Sequence, residues 1–426
     1  MSKVKDQNMS LEGQKRLDWA EYNMPILKSI RERFELDKPL EGIRIGVALH
    51  LEKKTGILLK TLKTGGAEIY AASCNPLTTD DHVAAALADE MNIFAWAGQT
   101  DNEYYECLNS VIKGKPQVII DDGCDLIQMI HNNNELISNV IGACEETTTG
   151  ISRLQIMDKE NALKFPVIAV NNAYSKYLFD NRYGTGQSVI EGILSATNTL
   201  IAGKTVVVLG YGWCGRGIAN RLKGLGAKII VVEAGSDNNI RESSGFHRAL
   251  EATYDGCWVM NMNDASLIGD IFITATGNKH VIRDQHMKMM KDGAILANSG
   301  HFNHEIDLDG LESISSSKNE ILTNVEKYKL KNGKHLILLS KGRLVNLSQP
   351  TGQGHPIEIM DGSFGIQSLS VEHLVLNGEQ MSSNVHDVPN NLDNEIARLA
   401  LESQNIVLDM PTELQKNYKN NWEEGT

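Results

Sequence analysis

The sequence is short of basic residues, of long apolar runs and of clustered cysteines. Its 41 Lys and Arg residues face 54 Asp and Glu residues, and the formal net charge of -13 argues against a nucleic-acid partner, because phosphate binding requires a basic surface. No apolar run is long enough to span a membrane, and the N-terminal residues lack the apolar core of a signal peptide. We therefore predict a cytoplasmic protein without a membrane or nucleic-acid partner.

The cysteines also exclude two classes of protein. All six lie apart, with no CxxC pair and no Cys/His cluster, which argues against both a disulfide framework and a zinc site. We expect reduced thiols and no bound metal. A chain of 426 residues exceeds the size of most single hydrophobic cores, so two domains and a small tail are expected.

Short apolar stretches alternate with helical patterns along most of the chain. After a predicted amphipathic helix over 18–35, which includes Trp19 and Met24, strands are predicted in "GIRIGVALHL", "AEIYAASC", "NIFAW" and "PQVIIDDG". The pattern restarts near residue 186 and continues through "VVVLG", "AKIIVVE", "IGDIFITATG", "GAILANSG" and "KHLILLSKG". This alternation predicts an α/β fold with two doubly wound parallel-sheet domains and a small C-terminal segment.

The run "VVVLGYGWCGRG" places Gly210, Gly212 and Gly215 between a predicted strand and a predicted helix. Such glycines let the backbone approach the pyrophosphate of a dinucleotide, which rests on the helix N-terminus. Glu233 ends the next strand, about 20 residues further on, where a carboxylate accepts hydrogen bonds from ribose hydroxyls. Because this carboxylate would repel a 2′-phosphate, we predict NAD rather than NADP. The alternative is a glycine-rich turn without a ligand.

The polar stretch "AGSDNNIRESSGFHR" follows Glu233, where a short loop would normally lead into a helix. We predict an exposed loop extension. Arg248, at its end, is either a contact for the ribose edge or an ordinary surface arginine.

Three further stretches are rich in groups that carry chemistry: "DDGCDL", "CEETTTG" and "SKYLFDNRYGTGQS". The first follows a predicted strand, so its acids lie at a carboxyl strand end, where open α/β sheets bind ligands. Each stretch also has a plain interpretation. "EETTTG" could be a solvated turn or helix cap, and Lys176 and Asp180 could be a surface ion pair at i,i+4 spacing. His50 could be a strand-end histidine with a local hydrogen bond, and His301 and His355 could lie in ordinary loops.

Together these stretches resemble the S-adenosyl-L-homocysteine hydrolase family. The resemblance begins near Trp19 and follows the family's order through "HLEKKTGIL", "SCNPLTTDDH", "DDGCDL", "EETTTG", "FDNRYGTGQS", "GYGWCGRG", "NSGHFNHEID", "GRLVN" and "GHPIEIM". The short "FDNRYGTGQS" form, "GYGWCGRG" and the ending "EEGT" resemble the archaeal branch, which includes S-inosyl-L-homocysteine hydrolase.

The resemblance implies an enzyme of S-adenosylmethionine recycling that keeps NAD bound. In that family the ribose 3′-hydroxyl is oxidised to a ketone, which acidifies the C4′ proton. Loss of this proton expels homocysteine, water adds to the enone, and the ketone is reduced again. It also implies a homotetramer and four segments: a substrate domain (1–185), an inserted Rossmann NAD-binding domain (186–345), a segment returning to the substrate domain (346–400) and a tail (401–426).

The resemblance assigns roles to individual residues. Lys176 and Asp180 would hold the 3′-hydroxyl and help to remove its proton, with a lowered pKa suiting Lys176 as a base, and Glu146 would bind the 2′-hydroxyl. The C4′ proton, leaving sulfur and attacking water would be served by His50, Asp122 and His301. Substrate contacts are expected from Glu52, Lys54, Thr55, Met360 and His355, the last lining the nucleobase end and the entrance. NAD contacts are expected from Thr147, Thr148, Thr149, Asn181, Gly210, Gly212, Gly215, Glu233, Arg248, Asn278, Ser299, Gly300 and Asn346.

The chain departs from the family's commonest pattern at the purine site. The usual HxTxE or HxTxQ ends in a side chain that accepts a hydrogen bond from the adenine 6-amino group, whereas "HLEKKT" offers Glu52 and Lys54. Lysine has donors only, which suits a 6-oxo group. We therefore favour S-inosyl-L-homocysteine as substrate, with S-adenosyl-L-homocysteine as the alternative if Lys54 pairs with Glu52 and neither touches the base.

Other readings and one further departure remain. A 2-hydroxyacid dehydrogenase would share the two-domain plan but does not account for "EETTTG", and a silent NAD-binding regulator would not need the retained His50, Asp122 and Lys176.

The tail bearing lysine and tyrosine that reaches a neighbour's NAD in many relatives is replaced by "NWEEGT". We therefore expect NAD to be lost measurably on dialysis.

Overall fold

A computed structural model of the chain describes residues 2–235 and 243–423. Its strands form two sheets of eight strands each. The first sheet contains β1 (Lys3–Val4), β2 (Arg44–Ala48), β3 (Glu68–Ala72), β4 (Asn92–Ala95), β5 (Val118–Asp121), β6 (Gly142–Glu145), β7 (Val167–Ala169) and the late strand β16 (Val385–Asp387). The second contains β8 (Thr205–Leu209), β9 (Lys228–Val232), β10 (Trp258–Val259), β11 (Ile271–Thr274), β12 (Ala294–Asn298), β13 (Ser315–Leu322), β14 (Val325–Leu330) and β15 (His335–Leu339).

Helices connect most of the strands. Those before the second sheet are α1 (Ser10–Tyr22), α2 (Pro25–Asp37), α3 (Lys53–Thr64), α4 (Asp81–Ala88), α5 (Asp101–Lys113), α6 (Asp125–His131), α7 (Asn134–Ile137), α8 (Thr148–Lys159), α9 (Tyr174–Tyr177) and α10 (Thr185–Thr197). The later ones are α11 (Trp213–Gly224), α12 (Gly245–Tyr254), α13 (Met262–Ile268), α14 (Asp284–Met289), α15 (Leu308–Ile314), α16 (Ile357–Asn377), α17 (Asn390–Ser403) and α18 (Glu413–Asn420).

The order of strands defines where each sheet can bind a ligand. The first sheet is parallel throughout, in the order β1-β4-β3-β2-β5-β6-β7-β16, so its direction of winding reverses between β2 and β5. The second has the order β10-β9-β8-β11-β12-β15-β14-β13 and reverses between β8 and β11. Open α/β sheets bind ligands at the carboxyl strand ends beside such a reversal. The predicted α/β class with two doubly wound sheets is confirmed.

Several strands carry too weak a pattern to be predicted from the sequence. β6 and β7 have four and three residues, which is too short to show a period. β13 and β14 form an antiparallel hairpin at the edge of the second sheet, and β13 is exposed along nearly all of its length. A strand without a buried face has no apolar alternation to reveal it.

The opening helix differs from the single helix predicted over 18–35. α1 ends at Tyr22 and α2 begins at Pro25, because a proline is accommodated at the first position of a helix and not in its interior. Met24 and Phe34 are buried as the spacing predicts, but Trp19 lies on α1 and is 63% exposed.

The predicted loop extension after Glu233 is only partly described. Residues 236–242 lie outside the described residues. The end of the stretch is helical, since α12 begins at Gly245 and includes Arg248, with the Ser244 hydroxyl accepting a hydrogen bond from the His247 backbone N–H at its start. The last residues of the predicted loop extension are therefore helical.

The chain returns to the first sheet through α16, which packs against α2, α3 and α17 and against β6. Most of this helix is buried, including Asp361, whose carboxylate accepts hydrogen bonds from the Ile26 and Leu27 backbone N–H groups at the start of α2. None of the helices in the described residues combines the length and apolar character needed to cross a membrane.

Candidate active site

A cavity of about 1090 Å³ lies between the two sheets, at the carboxyl ends of their strands. The loops that follow β2 and β5 reach it from one side, and those that follow β8 and β11 from the other. Both reversals of strand order therefore face the same space. The cavity is lined by His50, Glu52, Lys54, Thr55, Asp122, Glu146, Thr147, Thr148, Thr149, Lys176, Asp180, Asn181, Gly210, Gly212, Glu233, Arg248, Asn278, Ser299, Gly300, His301, Asn346, His355 and Met360. Of the predicted site residues, Gly215 alone is outside this lining.

Asp122 lies between two histidines. Its Oδ2 is 3.3 Å from His50 Nε2, and its Oδ1 is 3.3 Å from His301 Nδ1. His50 follows β2, Asp122 follows β5, and His301 comes from the loop after β12 in the other sheet. The carboxylate of Asp122 therefore lies within ion-pair distance of an imidazole from each sheet.

Two partners of His50 were not predicted. Its Nδ1 lies 2.8 Å from Thr78 Oγ1 and 3.3 Å from Cys74 Sγ. Burial lowers the pKa of His50 to about 4, despite the opposing effect of Asp122, so the imidazole is neutral at pH 7. Donor atoms of His50, Cys74 and Asp122 lie within 4.8 Å of one another, a spacing that a metal ion could bridge, although hydrogen bonds within the trio already account for it.

Lys176 lies in a second buried cluster. Its Nζ is 3.6 Å from Asp180 Oδ1 and 3.7 Å from Glu146 Oε1, and it donates hydrogen bonds to Asn171 Oδ1 (3.0 Å) and Asn181 Oδ1 (3.1 Å). Both acids and the lysine are almost fully buried. Lys176 and Asp180 are thus not a surface ion pair, which is the plain interpretation of their spacing.

The protonation of this cluster follows from burial and charge. Burial acts to lower the pKa of Lys176, but Asp180 and Glu146 outweigh it and the pKa is raised, so the lowered pKa expected of a base does not come from the protein groups alone. Burial acts to raise the pKa of Asp180, but Lys176 and His355 reverse this and hold it well below its usual range. Burial raises the pKa of Glu146 to about 8, with Lys176 only partly opposing, so Glu146 is mostly protonated at pH 7 and its contact with Lys176 is not a full ion pair.

His355 contacts the same cluster. Its Nδ1 is 3.0 Å from Asp180 Oδ1, and its Nε2 is 3.2 Å from Thr185 Oγ1. The resemblance assigns His355 to the nucleobase end, whereas these contacts place it beside the carboxylate that is assigned to the ribose.

The polar groups expected at the purine end are engaged with one another. Lys54 Nζ is 2.8 Å from the Gln353 carbonyl oxygen and 3.0 Å from Glu52 Oε2. Glu52 also caps α3, accepting hydrogen bonds from the backbone N–H groups of Lys54 and Thr55. The Thr55 hydroxyl donates to the His50 carbonyl oxygen at 2.6 Å. Lys54 is almost fully buried, which is costly for a lysine without such partners.

The glycine turn has the shape that a pyrophosphate requires. Gly210 has φ +96°, and a Cβ at Gly215 would come 1.9 Å from the Gly210 carbonyl oxygen, so Gly215 permits the turn without lining the cavity. A Cβ at Gly212 would meet nothing within 4 Å, because Gly212 faces open space at the start of α11. These residues fit the predicted dinucleotide.

Other groups around the turn also fit a dinucleotide. Glu233 accepts a hydrogen bond from the Tyr211 backbone N–H at 2.6 Å. Arg248 Nε is 3.0 Å from Glu233 Oε1, so Arg248 is not a free surface arginine. Ser299 Oγ and Asn346 Oδ1 are buried against the cavity and have no hydrogen-bond partner among the described residues. Buried polar atoms of this kind are normally satisfied, which is expected here from a bound polar ligand.

Comparisons with known proteins identify the family. Residues 1–137 match the model described as S-adenosyl-L-homocysteine hydrolase, and residues 181–352 match the NAD-binding domain of the same family. An adenosylhomocysteinase of Sulfolobus acidocaldarius is 54% identical over 425 residues, covering 100% of this chain and 99% of that protein. This chain belongs to the S-adenosyl-L-homocysteine hydrolase family. NAD is its cofactor.

Relatives within the S-adenosyl-L-homocysteine hydrolase family carry two different names. An S-inosyl-L-homocysteine hydrolase of Methanocaldococcus jannaschii is 53% identical over 428 residues, covering 100% of both chains. Another of that name, from Methanopyrus kandleri, is 51% identical over 426 residues, covering 99% of this chain and 98% of that protein. Overall identity is thus almost equal for the two names and does not choose the purine.

Several residues of the site were not predicted from the sequence. Asn171 binds Lys176, Ser363 donates to Glu146 Oε1 at 2.8 Å, and Thr78 binds His50. Asn171 precedes Lys176 by five residues, so the pair could have been found as neighbours of a short helix. Ser363 and Thr78 carry no such signal, because their contacts depend on how distant elements pack.

Proposed function

We propose that this protein catalyses the reversible hydrolysis of an S-nucleosyl-L-homocysteine, with S-inosyl-L-homocysteine favoured, releasing inosine and L-homocysteine in the recycling of S-adenosylmethionine. S-Adenosyl-L-homocysteine, giving adenosine, is the alternative substrate. The main support is the convergence of two proton-handling clusters, around Asp122 and around Lys176, on one cavity with a glycine turn suited to NAD.

We propose that the thirteen NAD contacts implied by the resemblance apply to this chain. Gly210 and Gly212 would lie under the pyrophosphate, Glu233 and Arg248 beside the adenosine ribose, and Ser299 among the polar contacts. When bound, NAD supplies the reversible oxidation of the ribose 3′-hydroxyl that makes the neighbouring C4′ proton acidic.

The Lys176 cluster would bind the ribose hydroxyls. Asp180 is ionised and can accept a hydrogen bond from the 3′-hydroxyl. Lys176 Nζ is 3.6 Å from Asp180 Oδ1, so a hydroxyl bound to Asp180 would also lie near the lysine. Lys176 must lose a proton before it can act as a base, and a positive charge brought near it favours that loss. Glu146, mostly protonated at pH 7, can donate to or accept from the 2′-hydroxyl.

The Asp122 cluster would handle the C4′ proton, the leaving sulfur and the attacking water. His50 is neutral at pH 7, so its imidazole can accept a proton, and Asp122 can then stabilise the resulting imidazolium. His301 offers a second imidazole on the other side of the same carboxylate. Two histidines sharing one carboxylate suit a reaction in which a proton leaves carbon and another reaches sulfur.

The choice of hypoxanthine rests on Lys54. Its ammonium has three donors, and the Gln353 carbonyl and Glu52 use two of them, which leaves one for a purine 6-oxo group. A 6-amino group needs an acceptor instead, and a lysine ammonium offers none. Adenine would therefore place two donors, its amino group and the Lys54 ammonium, against each other.

The reaction itself is tested by incubating the NAD-loaded protein with each nucleosyl thioether. We expect release of homocysteine thiol without net NADH, and kcat/KM at least about tenfold higher for S-inosyl- than for S-adenosyl-homocysteine, since one unpaired buried polar group costs more than 1 kcal/mol. A hydroxyacid dehydrogenase would accumulate NADH, and a silent regulator would release no thiol. A strong preference for the adenosyl compound would reject the inosyl assignment.

Variants at the purine end sharpen this test. Lys54→Met should lower kcat/KM for S-inosyl-homocysteine. The ratio of kcat/KM for the inosyl and adenosyl substrates should therefore fall to near one. Lys53→Met is the matched control. In the described residues the Lys53 ammonium makes one side-chain hydrogen bond, to Gln353 Oε1 at 3.3 Å, and this hydrogen bond is exposed to solvent. An unchanged substrate ratio in Lys54→Met would contradict a role for Lys54 in choosing the base.

We further propose the cytoplasmic location, the homotetramer and the domain boundaries at 185, 345 and 400 that the resemblance implies. The tetramer predicts about four times the chain mass of 47.0 kDa in analytical ultracentrifugation, a multiple that follows from closed D2 symmetry.

A further inference from the structure

Two acids next to the proposed catalytic residues take no part in the chemistry described so far. Asp121 ends β5 and Glu145 ends β6, and the two are direct partners in the register of these parallel strands. Both side chains are 0% exposed. Each immediately precedes a proposed catalytic acid, Asp122 or Glu146, so the pair lies beneath the loops that carry the reaction.

Glu145 ties these two loops together through one oxygen. Its Oε1 accepts hydrogen bonds from the Gly123 backbone N–H at 2.9 Å, from the Thr147 backbone N–H at 3.0 Å and from the Thr147 hydroxyl at 3.0 Å. Its Oε2 is buried and has no hydrogen-bond partner among the described residues. A Cβ at Gly150 would come 2.1 Å from the Glu145 carboxyl carbon, so a glycine makes room for this acid.

Asp121 uses both of its oxygens. Oδ1 accepts from the Asp122 backbone N–H at 2.9 Å and Oδ2 from the Ile127 backbone N–H at 2.8 Å. Between these points the chain takes a left-handed turn, with φ +106° at Gly123 and φ +68° at Cys124. A non-glycine residue in this conformation is held there by its surroundings, and the hydrogen bonds to the two acids supply that constraint.

The charges around the pair are unfavourable for two carboxylates. Asp122 and Asp125 lie close by with the Cys124 thiol, and the nearby cation Arg153 already pairs with Asp125 at 2.7 Å. Burial raises the pKa of Asp121 to about 7, although the backbone hydrogen bond from Ile127 opposes it. Burial, with the charges of Asp121 and Asp122, raises the pKa of Glu145 well above its usual range and outweighs its backbone hydrogen bonds. An unpartnered buried oxygen is also less costly on a neutral carboxyl than on a carboxylate.

We propose that Glu145 is a protonated positioning residue which, with Asp121, holds the Asp122 turn and the start of α8 in the arrangement needed for the reaction. Neither Glu145 nor Asp121 lines the cavity itself, but each is hydrogen-bonded to a residue that does. They act on the reaction through Asp122 and Thr147. The kinetic part of this inference rests on the proposed function, but the protonation of Glu145 does not.

The same chemical change at the two acids should have opposite outcomes. Glu145→Gln keeps the accepting oxygen and replaces an oxygen that accepts nothing, so kcat should stay within about threefold of wild type and the pH profile of kcat/KM should be unchanged. Asp121→Asn must turn an amide N–H toward a backbone N–H of Asp122 or Ile127, so kcat should fall about 100-fold through misplacement of Asp122, with KM changing much less.

Glu145→Ala removes the accepting oxygen altogether and should lower kcat about 100-fold, which Glu145→Gln restores. A loss of kcat greater than tenfold in Glu145→Gln, or a shift of its acid limb by one pH unit or more, would show that Glu145 works as a carboxylate and would overturn the proposal. So would equal kcat in Glu145→Ala and wild type.

A measurement without turnover keeps the inference testable if these variants fold poorly or the substrate assignment fails. In infrared spectra at pH 7, the wild type should show the carbonyl stretch of a protonated carboxyl that is missing from Glu145→Gln. Its presence supports a proton on Glu145 whatever reaction the protein catalyses. Identical spectra for the two proteins would overturn it, and absence of thiol release by the wild type would bear on the proposed function alone.

Discussion

The two sheets present different chemistry to the shared cavity. The loops of the first sheet contribute the two buried clusters of ionisable side chains, around Asp122 and around Lys176. Those of the second contribute glycine turns, hydroxyls and amides, such as Gly210 and Ser299, together with charged side chains such as Glu233. His301 crosses this division, coming from the second sheet to contact Asp122. We infer that the first sheet moves protons and the second holds the cofactor by shape and backbone.

A matched pair of buried acids shows the same contrast. Glu305, between β12 and α15, accepts hydrogen bonds from the Thr276 backbone N–H and hydroxyl at 2.9 and 2.6 Å and from the Gly277 N–H at 3.0 Å, much as Glu145 does at the end of β6. Burial raises the pKa of both, but Glu145 also has Asp121 and Asp122 beside it. The same arrangement of hydrogen bonds around a buried glutamate therefore has acidic neighbours at the first sheet, whereas none among the described residues contributes to the pKa of Glu305 at the second.

The largest expected effect comes from breaking the charged side of this contrast. Lys176→Met should lower kcat about 10³-fold, the range for loss of a positioned proton-transfer group, while bound NAD stays within twofold of wild type as measured by absorbance after acid release. Lys288→Met is the control, because Lys288 pairs with Asp284 at an exposed i,i+4 position and should leave kcat unchanged. Parallel loss of NAD and kcat in Lys176→Met would argue against the division between the sheets.

The cofactor side is tested by two alanine substitutions in one turn. Gly212→Ala places its methyl in open space in the free protein, so the melting temperature should stay near wild type while NAD affinity falls about 100-fold, because the backbone can no longer approach the pyrophosphate. Gly215→Ala meets the Gly210 carbonyl oxygen and should lower both the melting temperature and NAD affinity. Similar behaviour of the two variants in calorimetry and NAD titration would contradict this reading of the turn.

The buried histidine predicts a dependence of stability on pH. Because the pKa of His50 is lowered to about 4 in the folded chain and is near 6.5 when unfolded, the unfolded state binds more protons between these values. The free energy of unfolding should therefore fall by about 2 kcal/mol from pH 7 to pH 5 through this residue alone. Urea titrations of His50→Gln should show that much less dependence over the same range, and an identical dependence would exclude His50 as its source.

The smallest effect is expected at the adenosine ribose. Glu233→Gln removes a carboxylate that would repel a 2′-phosphate but keeps an acceptor for the Tyr211 N–H, so the preference for NAD over NADP should fall about tenfold. Competition binding with the two dinucleotides measures this ratio. A ratio equal to that of wild type would indicate that Arg248 neutralises Glu233 and that selection lies elsewhere.

Local sequence patterns predicted the buried strands and the glycine turn. They did not predict the exposed strand or some of the helix boundaries. The glycine turn, Glu233 and the buried parallel strands follow from short-range rules, since strand ends and turns are determined by a few adjacent residues. The break at Pro25 was missed because the regular apolar spacing over 18–35 was given more weight than the proline. The helical position of Arg248 was missed because the polar composition of its segment was given more weight than Ser244, which caps the helix. β13 was missed because an exposed strand has no apolar face.

By itself, the sequence determined the class of fold, the family and the residues available for chemistry, because these depend on motifs of neighbouring residues. Tertiary structure alone decided which of them meet: Asp122 with two histidines from different sheets, Lys54 with the Gln353 carbonyl, and Glu145 with the turn before α6. Burial then decided their charges, because the pKa of an acid or base depends on the solvent it loses and the charges it gains when distant segments pack together.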